Sequence, residues 1–206
     1  MNVIKASAPG RICLVGEHCD YAKGMSIALP LSQKITAYGE PRNDKCVTIT
    51  TGLEDRLYHL EFSLEQIPQL DEHPLRYAAA VTHVLFNNRR DSIAGLDITL
   101  RTNLPSKKGL GSSAAVSVVI TDLFNKAYGL QLDLDEVAKI AYGAEHDILG
   151  IGCGRMDQIV SSHNSLVVMD YKKRGRPQVT KLRPSPIPIP ILVGIPLVDK
   201  RDLPSL

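Results

Sequence analysis

Residues 104–115 read L-P-S-K-K-G-L-G-S-S-A-A, with glycines and serines directly before a predicted helix. Glycine lets the backbone approach a ligand closely, and the first turn of a helix presents unpaired N–H groups and the positive end of the helix dipole. This combination favours an anion, and phosphate is the most common one. Ser112 and Ser113 add hydroxyl groups that could contact phosphate oxygens or a bound Mg²⁺.

Three interpretations of this loop are open on its residues alone. A Walker loop requires Gly-Lys-Ser/Thr after four variable residues, and the segment lacks that order. A dinucleotide fingerprint, G-x-G-x-x-A, is satisfied by Gly109, Gly111 and Ala114. The acidic residue that it requires about twenty positions later would be Asp133 or Asp135, but both lie at the predicted start of a helix, so we disfavour this interpretation. The third is an ordinary helix start capped by Ser112.

A second cluster of polar side chains follows the predicted strand at residues 11–15. Glu17, His18 and Asp20 stand close together there, where a rigid strand end would fix them. Carboxylates accept hydrogen bonds and imidazole donates or accepts them, so the cluster could hold the hydroxyl groups of a ligand. Arg11 could balance the charge of a carboxylate or a phosphate. A solvated turn whose charges face water is an equally open interpretation.

A third cluster spans residues 145–158. Glu145 stands near the end of a predicted helix, and the glycines that follow it would let the backbone turn sharply beside a ligand. Asp157 falls in the first turn of the next predicted helix, where the dipole favours an ionised carboxylate. Phosphoryl transfer uses such an aspartate beside the accepting hydroxyl, and Glu145 offers the oxygen ligands that Mg²⁺ prefers. The alternative is that Asp157 only stabilises its own helix.

The composition excludes several classes of protein. The 206 residues are 22% charged and 44% hydrophobic, which is ordinary for a globular protein with one sizeable domain, or one domain and part of another. A formal net charge of +2 argues against a general nucleic-acid or acidic-membrane binder. The longest apolar stretch, residues 186–198, contains four prolines and is unsuited to a membrane-spanning helix. Four scattered cysteines without a C-x-x-C pair are typical of a reduced, cytoplasmic protein.

Hydrophobic periodicity predicts the elements that would position these clusters. Short strands are predicted at residues 3–6, 11–15, 27–31, 35–38, 47–51, 57–62, 96–101, 165–169 and 191–195, and a loop or edge at 174–190. Helices are predicted at residues 75–87, 112–128, 134–149 and 157–160. Gly129 would end the second helix, and Asp133 with Glu136 would form a capping box at the start of the third. This order indicates an antiparallel-rich α+β layer fold rather than regular βαβ winding.

The three clusters together, in this order, resemble the superfamily of galactokinase, homoserine kinase, mevalonate kinase and phosphomevalonate kinase, called GHMP kinases. Within it the chain is most similar to galactokinases. P-G-R at residues 9–11 with G-E-H-C-D-Y at 16–21 is similar to their signature P-G-R…G-E-H-T-D-Y. C-G-R-M-D-Q at 153–158 is similar to their C-G-I-M-D-Q, and K-R-D-L at 200–203 looks like a sequence just beyond the middle of galactokinases.

The resemblance implies a fold and a role for each motif residue. The fold would be the GHMP kinase N-terminal domain, a ribosomal-protein-like two-layer α+β fold with a left-handed βαβ unit, an exception to the usual hand. Asp157 and Arg11 would be catalytic, and Ser113 and Glu145 would bind Mg²⁺. Sugar hydroxyls would be bound by Glu17, His18, Asp20 and Gly154. The phosphates of ATP would be bound by Lys107, Lys108, Gly109, Leu110, Gly111, Ser112, Ser113 and Ala114.

The chain departs from the galactokinase pattern in three places. Lys107 and Lys108 stand where galactokinases favour glycine, so the turn could differ or a lysine could reach a phosphate. Gly111 makes the loop more like that of mevalonate or homoserine kinases. Arg155 adds a positive charge beside Asp157, which would suit an acidic sugar or a sugar phosphate better than plain galactose.

The resemblance therefore predicts an ATP- and Mg²⁺-dependent, galactokinase-like kinase that phosphorylates a hydroxyl of a small sugar in the cytoplasm, without nucleic-acid or membrane partners. The alternatives are a mevalonate or homoserine kinase-type member, a non-catalytic sugar or ATP sensor, and a dinucleotide-dependent oxidoreductase. Residues 1–185 would form the N-terminal ATP- and substrate-binding domain. Residues 186–206 would begin a truncated or missing C-terminal domain, since such kinases are longer.

Overall fold

The computed structural model describes residues 3–53, 55–66, 68, 73–172, 176–183, 191 and 193–194. Within them, seven strands form one sheet: β1 (Ile4–Val15), β2 (Met25–Pro41), β3 (Cys46–Leu53), β4 (Arg56–Ser63), β5 (Leu96–Thr102), β6 (Val167–Asp170) and β7 (Gln178–Lys181). The helices are α1 (Cys19–Ala22), α2 (Arg76–Arg89), α3 (Ser112–Tyr128), α4 (Leu134–Gly143) and α5 (Met156–His163). One π-helical turn (Ala144–Ile148) extends α4. None of the helices in the described ranges is long and apolar enough to cross a membrane.

The long strand β2 organises the sheet. It pairs with β1 along one edge, and along the other edge with β6 near its start and β5 near its end. The path runs β4-β3-β5-β2-β6-β7, and among the described strands only β3 and β5 run parallel. The predicted antiparallel-rich α+β fold is therefore confirmed. The connection from β3 to β5 contains β4 and α2; the left hand of a βαβ unit stays a prediction.

Two pairs of predicted short strands are in fact two long strands. Residues 3–6 and 11–15 belong to β1, and residues 27–31 and 35–38 belong to β2. β1 follows β2 along almost its whole length, and register shifts near Gly10 and Leu14 absorb the irregular residues. In β1 the prediction broke the strand around Pro9 and Gly10, because glycine and proline usually interrupt a strand, whereas here they lie at an irregularity of an edge strand. In β2 it broke the strand at the polar residues 32–34, which the structure places within the strand.

Small residues on the sheet let α3 lie close to it. Ala6 and Ala8 of β1 and Ala37 of β2 are buried in the same core as the apolar face of α3. A Cβ on Gly39 would come within 3.0 Å of the Leu123 side chain of α3. Because protein cores are close-packed, this contact fixes the height of α3 above the sheet and hence the position of its N-terminus. A second apolar cluster packs α5 against β2 and β6.

The helix ends agree with the sequence in two places and differ in two. Gly129 ends α3 in the left-handed conformation, and the capping box of Asp133 and Glu136 starts α4, as predicted. The alternative interpretation of a cap at Ser112 does not hold: Gly111 occupies the cap position at φ 72°, and Ser112 is the first helical residue. The predicted helix at 134–149 is α-helical only to Gly143 and continues as the π-helical turn.

The last part of the chain is described only in pieces. The edge strand β7 lies in the segment that was predicted to be loop or edge. The predicted strand at residues 191–195 falls partly outside the described residues, and the proposed domain boundary at 185/186 lies outside them altogether.

Candidate active site

The loop between β5 and α3 lies directly against β1. The N–H of Arg11 donates to the carbonyl of Leu110 at 2.9 Å. A Cβ on Gly10 would lie 2.5 Å from Leu104 Cδ1 and 2.7 Å from the Leu110 carbonyl oxygen, which no side chain would tolerate. The glycine of the P-G-R motif is therefore required so that the loop can approach the strand.

Three residues of this loop have left-handed backbone. Gly109 and Gly111 have φ values of 76° and 72°, which suit glycine. The exposed Lys107 has φ 54°, a conformation that a non-glycine residue rarely adopts. Lys107, one of the two lysines that stand where galactokinases favour glycine, thus has the left-handed conformation that glycine adopts easily.

The start of α3 is open to a ligand. No side chain caps it, and its first backbone bond runs from the Ala115 N–H to the carbonyl of Gly111 at 3.0 Å. The N–H groups of Ser112, Ser113 and Ala114 therefore have no partner within the helix. With the positive end of the dipole beside them, these groups can bind the oxygens of a phosphate.

Arg11 joins this loop to the third cluster. Its Nε and Nη2 donate to the two carboxylate oxygens of Asp157, each at 2.6 Å, and its Nη1 donates to the carbonyl of Gly109 at 2.7 Å. Arg11 is 8% exposed. Burial by itself lowers the pKa of the guanidinium, but the charge and hydrogen bonds of Asp157 outweigh burial and raise the pKa overall. The result is a rigid, planar ion pair at the edge of the loop.

The ion pair and the loop are in contact. A Cβ on Gly111 would lie 3.1 Å from Arg11 Cγ and 3.4 Å from Asp157 Oδ2. Asp157 occupies the first turn of α5, as predicted, and its side chain is 25% exposed. A carboxylate that is partly accessible beside an open helix start can face a hydroxyl and a phosphate at the same time.

Glu145 lies beneath the start of α3. It stands on the π-helical turn, is 2% exposed, and is hydrogen-bonded by the Gln158 amide and by the side chains of Ser113 and Ser117. Burial raises the pKa of Glu145 to about 7, and the charge of Asp157 contributes to the increase. A buried carboxylate with neutral partners favours either a proton or a cation.

The residues fit a magnesium ion that is bound together with phosphates. In the described part of the chain, no three His, Cys, Asp or Glu side chains are grouped closely enough to hold a metal alone. Mg²⁺ usually takes one or two protein oxygens and completes its shell with phosphates and water. Glu145 and Ser113 offer such oxygens, and they are hydrogen-bonded to each other at the loop of residues 104–115, hereafter the phosphate loop.

Asp20 lies beside the start of α5, near Asp157. Its Oδ2 accepts from the Met156 N–H at 3.5 Å, and a Cβ on Gly154 would lie 1.5 Å from the same oxygen. Burial, and then the charge of Asp157, raise the pKa of Asp20. The structure therefore explains the glycine at 154 by the close approach of Asp20, which brings the second and third clusters together.

The other two residues of the second cluster are more exposed. Glu17 is hydrogen-bonded to the Cys13 thiol, and burial together with Glu17 raises the pKa of that thiol to about 11. His18 has φ 68°, and its ring lies 5.5 Å from that of Tyr21. Both side chains face solvent, so their role in binding sugar hydroxyls stays a prediction.

Sequence reasoning missed three features of the site. The guanidinium of Arg155 lies 4.8 Å from the centre of the Tyr142 ring on α4, so its charge has a partner that spacing alone did not reveal. Cys153 lies among carboxylates: burial, Glu145, Asp157 and Asp20 raise the pKa of its thiol to about 12. The role of Gln158 was also missed, although it adjoins Asp157 in the motif.

Two family models match the chain. One, described as "GHMP kinases N terminal domain", matches residues 76–165 and so includes the phosphate loop, Glu145 and Asp157. The other, described as "Galactokinase galactose-binding signature", matches residues 3–41 and so includes Arg11 and the second cluster.

Known proteins are similar in sequence and in fold. A galactokinase of Chloroflexus aurantiacus is 34% identical over 162 residues, which are 76% of this chain and 40% of that protein. The chain thus spans less than half the length of this curated relative. Lactococcus lactis galactokinase complexed with galactose has a TM-score of 0.79 at 22% identity, over 88% of this chain and 48% of that one. Methanococcus jannaschii mevalonate kinase has a TM-score of 0.72 at 19% identity, over 89% and 56%.

The two family models cover both parts of the sequence that form the site, residues 3–41 and residues 76–165. The two structural likenesses, each below 25% identity, show the fold alone. The family models and the galactokinase relative carry the assignment further. The chain therefore belongs to the GHMP kinase superfamily, and within it its sequence is galactokinase-like.

Proposed function

We propose that the chain is the ATP- and substrate-binding part of a galactokinase-like sugar kinase, which transfers the γ-phosphate of ATP to a hydroxyl group. The observation that carries this proposal is the contact between the Arg11–Asp157 ion pair and the phosphate loop. Transfer needs an anion site, a nearby positive charge and a carboxylate that faces the accepting hydroxyl. All three requirements meet at the start of α3.

In this mechanism the three motifs have separate tasks. The backbone N–H groups at residues 112–114 bind phosphate oxygens, and Arg11 offsets the negative charge that builds up during transfer. Asp157 accepts a hydrogen bond from the substrate hydroxyl, orients it and receives its proton. Because Arg11 holds Asp157 and the loop together, little reorganisation is needed, and positioning supplies most of the rate.

The proposal includes a magnesium ion held by Ser113 and Glu145 together with the phosphates of ATP. The ion would supply a positive charge that draws electron density from the transferring phosphate. Burial of Glu145 and its hydrogen bond to Ser113 support this assignment, because they leave a carboxylate oriented by neutral groups rather than by a fixed cation.

A sugar is favoured over mevalonate or homoserine as the acceptor. The galactose-binding signature covers residues 3–41, in which Glu17, His18 and Asp20 would hold hydroxyl groups. Gly154 supports this arrangement by leaving room for Asp20 beside the catalytic helix. The Chloroflexus aurantiacus relative, whose 34% identity exceeds that of the two solved structures named above, is a galactokinase.

The proposal extends to the domain and its surroundings. Residues 1–185 would form the N-terminal ATP- and substrate-binding domain. The protein would work in the cytoplasm, where ATP is available and thiols stay reduced. All four cysteines are free, which agrees with that compartment.

The test is release of ADP by the purified chain with ATP and Mg²⁺ and a panel of acceptors: galactose, glucose, galacturonic acid, a hexose phosphate, mevalonate and homoserine. We expect galactose, or a hexose that shares its hydroxyl pattern, to stimulate ADP release most strongly. Stimulation by mevalonate or homoserine alone would reject the sugar assignment. A chain that binds ATP and galactose but releases no ADP with any acceptor would instead be a sensor.

A further inference from the structure

Gln158 is a buried side chain that connects the catalytic helix with Glu145. It is 1% exposed, and its Nε2 donates to Glu145 Oε1 at 2.9 Å. Gln158 directly follows Asp157 at the start of α5, whereas Glu145 stands on the π-helical turn. One amide therefore joins the two elements that carry the candidate catalytic and magnesium-binding carboxylates.

The amide oxygen of Gln158 lowers the stability of the folded chain, so stability alone does not explain a glutamine at this position. Its Oε1 is buried and has no hydrogen-bond partner among the described residues. A buried acceptor without a partner costs folding free energy, which an apolar side chain of similar shape would avoid. The hydrogen bond to Glu145, together with a side-chain hydrogen bond between Gln158 and the Cys153 thiol, is therefore what favours an amide at this position.

The chemistry of the amide also matters, because it orients a carboxylate without neutralising it. A lysine or arginine at position 158 would pair with Glu145 and compete with any cation. A glutamate would repel both Glu145 and Asp157. A neutral donor holds Glu145 in place and leaves its charge available to a ligand that carries positive charge.

We propose that Gln158 is the positioning residue that holds Glu145 ready for the divalent cation that is bound with ATP. This inference rests on the proposed function. Residues that orient a metal ligand from behind typically contribute about 10- to 100-fold to metal affinity. Gln158 is one of three neutral groups, with Ser113 and Ser117, that hydrogen-bond and so orient the Glu145 carboxylate.

The test uses two substitutions, of which only the second changes the charge of this region. Gln158→Met keeps the length of the side chain and removes both the hydrogen bond and the unpartnered oxygen. Gln158→Lys places an ammonium group beside Glu145, which holds the carboxylate but neutralises it. Thr82→Val is the matched control, since Thr82 is buried on α2 and its hydroxyl donates to the Ala79 carbonyl at 2.7 Å.

The measurement is binding of Mn²⁺ with the non-hydrolysable ATP analogue AMPPNP, followed by the electron paramagnetic resonance of free Mn²⁺, on the whole chain. Calorimetry with AMPPNP in EDTA gives the affinity for the nucleotide alone, and thermal unfolding gives stability. We expect Gln158→Met and Gln158→Lys to lower Mn²⁺ affinity at least about tenfold, while the affinity for metal-free nucleotide and the Thr82→Val values stay unchanged.

The two variants separate positioning from a structural role. If Gln158 only supported the fold, Mn²⁺ affinity would follow stability, and the more stable of the two variants would bind the ion better. Wild-type Mn²⁺ affinity in a folded Gln158→Met or Gln158→Lys chain would overturn the inference and leave the proposed function intact. A wild-type chain that binds no nucleotide, with or without Mn²⁺, would overturn both.

Discussion

The guanidinium of Arg11 is held on two sides, by the carboxylate of Asp157 and by the carbonyl of Gly109. A buried charge costs folding free energy unless it is paired. The two partners of Arg11 belong to different motifs: Asp157 to the third cluster and Gly109 to the phosphate loop. Arg11 is therefore more than a counter-ion for Asp157. It fixes the distance between that aspartate and the loop on which the phosphates would lie.

Glu145 predicts how stability depends on pH. Its pKa is raised to about 7 in the folded chain, above the ordinary value of glutamate, because burial disfavours the charged form. The folded state then binds more protons than the unfolded state, so the free energy of unfolding falls as pH rises between the unfolded pKa and about 7. We expect a loss of about 3 kcal/mol across this range in EDTA.

The variant Glu145→Gln isolates this contribution. It keeps the shape of the side chain and cannot ionise, so that part of the pH dependence should disappear and the variant should be more stable than the wild type above pH 7. Urea unfolding at a series of pH values, with EDTA present, measures it. Equal pH dependence in the two proteins would mean that Glu145 is charged throughout and that burial does not control it.

At the scale of elements, the approach of the phosphate loop to β1 depends on one glycine. In Gly10→Ala the added methyl group would overlap Leu104 and the carbonyl of Leu110, so the loop must move away from the strand. We expect a loss of about 1–3 kcal/mol in the free energy of unfolding, as for other overpacked sites, together with weaker ATP binding. Denaturant unfolding and calorimetry measure the two effects.

The chain offers a matched glycine as the control. Gly52 also lies in a strand, β3, but a Cβ there would meet nothing within 4 Å. Gly52→Ala should leave stability and ATP binding close to those of the wild type. If Gly10→Ala behaved like Gly52→Ala, the loop would not need to lie against β1.

Local sequence predicted the elements well where local chemistry decides them. The capping box of Asp133 and Glu136 and the left-handed Gly129 are signals carried by single residues, and the helix ends follow them. The sequence left the start of α3 undecided between an open anion site and a cap by Ser112, because Ser112 is a good cap by type. Gly111 takes the cap position because the loop must turn there beside Arg11, and that contact comes from a distant strand.

The π-helical turn is a second feature that hydrophobic periodicity could not predict. The apolar pattern continues past Gly143, so a sequence-based reading extends α4 to residue 149. The wider turn carries Glu145, whose hydrogen-bond partners Ser113 and Gln158 lie on α3 and α5. Such turns are frequent at functional sites, and here tertiary contacts accompany the change in helical geometry.

At the scale of the whole molecule, the site joins segments that are far apart in the chain. Arg11 and Asp157 are separated by 146 residues, and Arg11 and Gly109 by 98. The motifs indicated which residues belong together through the family resemblance. Their spacing could not give the bidentate pair, the contact with Gly111 or the approach of Asp20 to Gly154, because those depend on how α3 and α5 pack on the sheet.

The central claim is that Asp157 acts on the substrate hydroxyl beside the phosphate loop, and the variant Asp157→Asn tests it most directly. The control is Asp122→Asn, which removes a surface ion pair with Lys126 on α3. The measurement is the turnover number for ADP release with the best sugar, together with the affinity for ATP. We predict that Asp157→Asn lowers turnover by about 10²- to 10⁴-fold with unchanged ATP affinity, while Asp122→Asn retains full turnover. Wild-type turnover in Asp157→Asn would contradict the account.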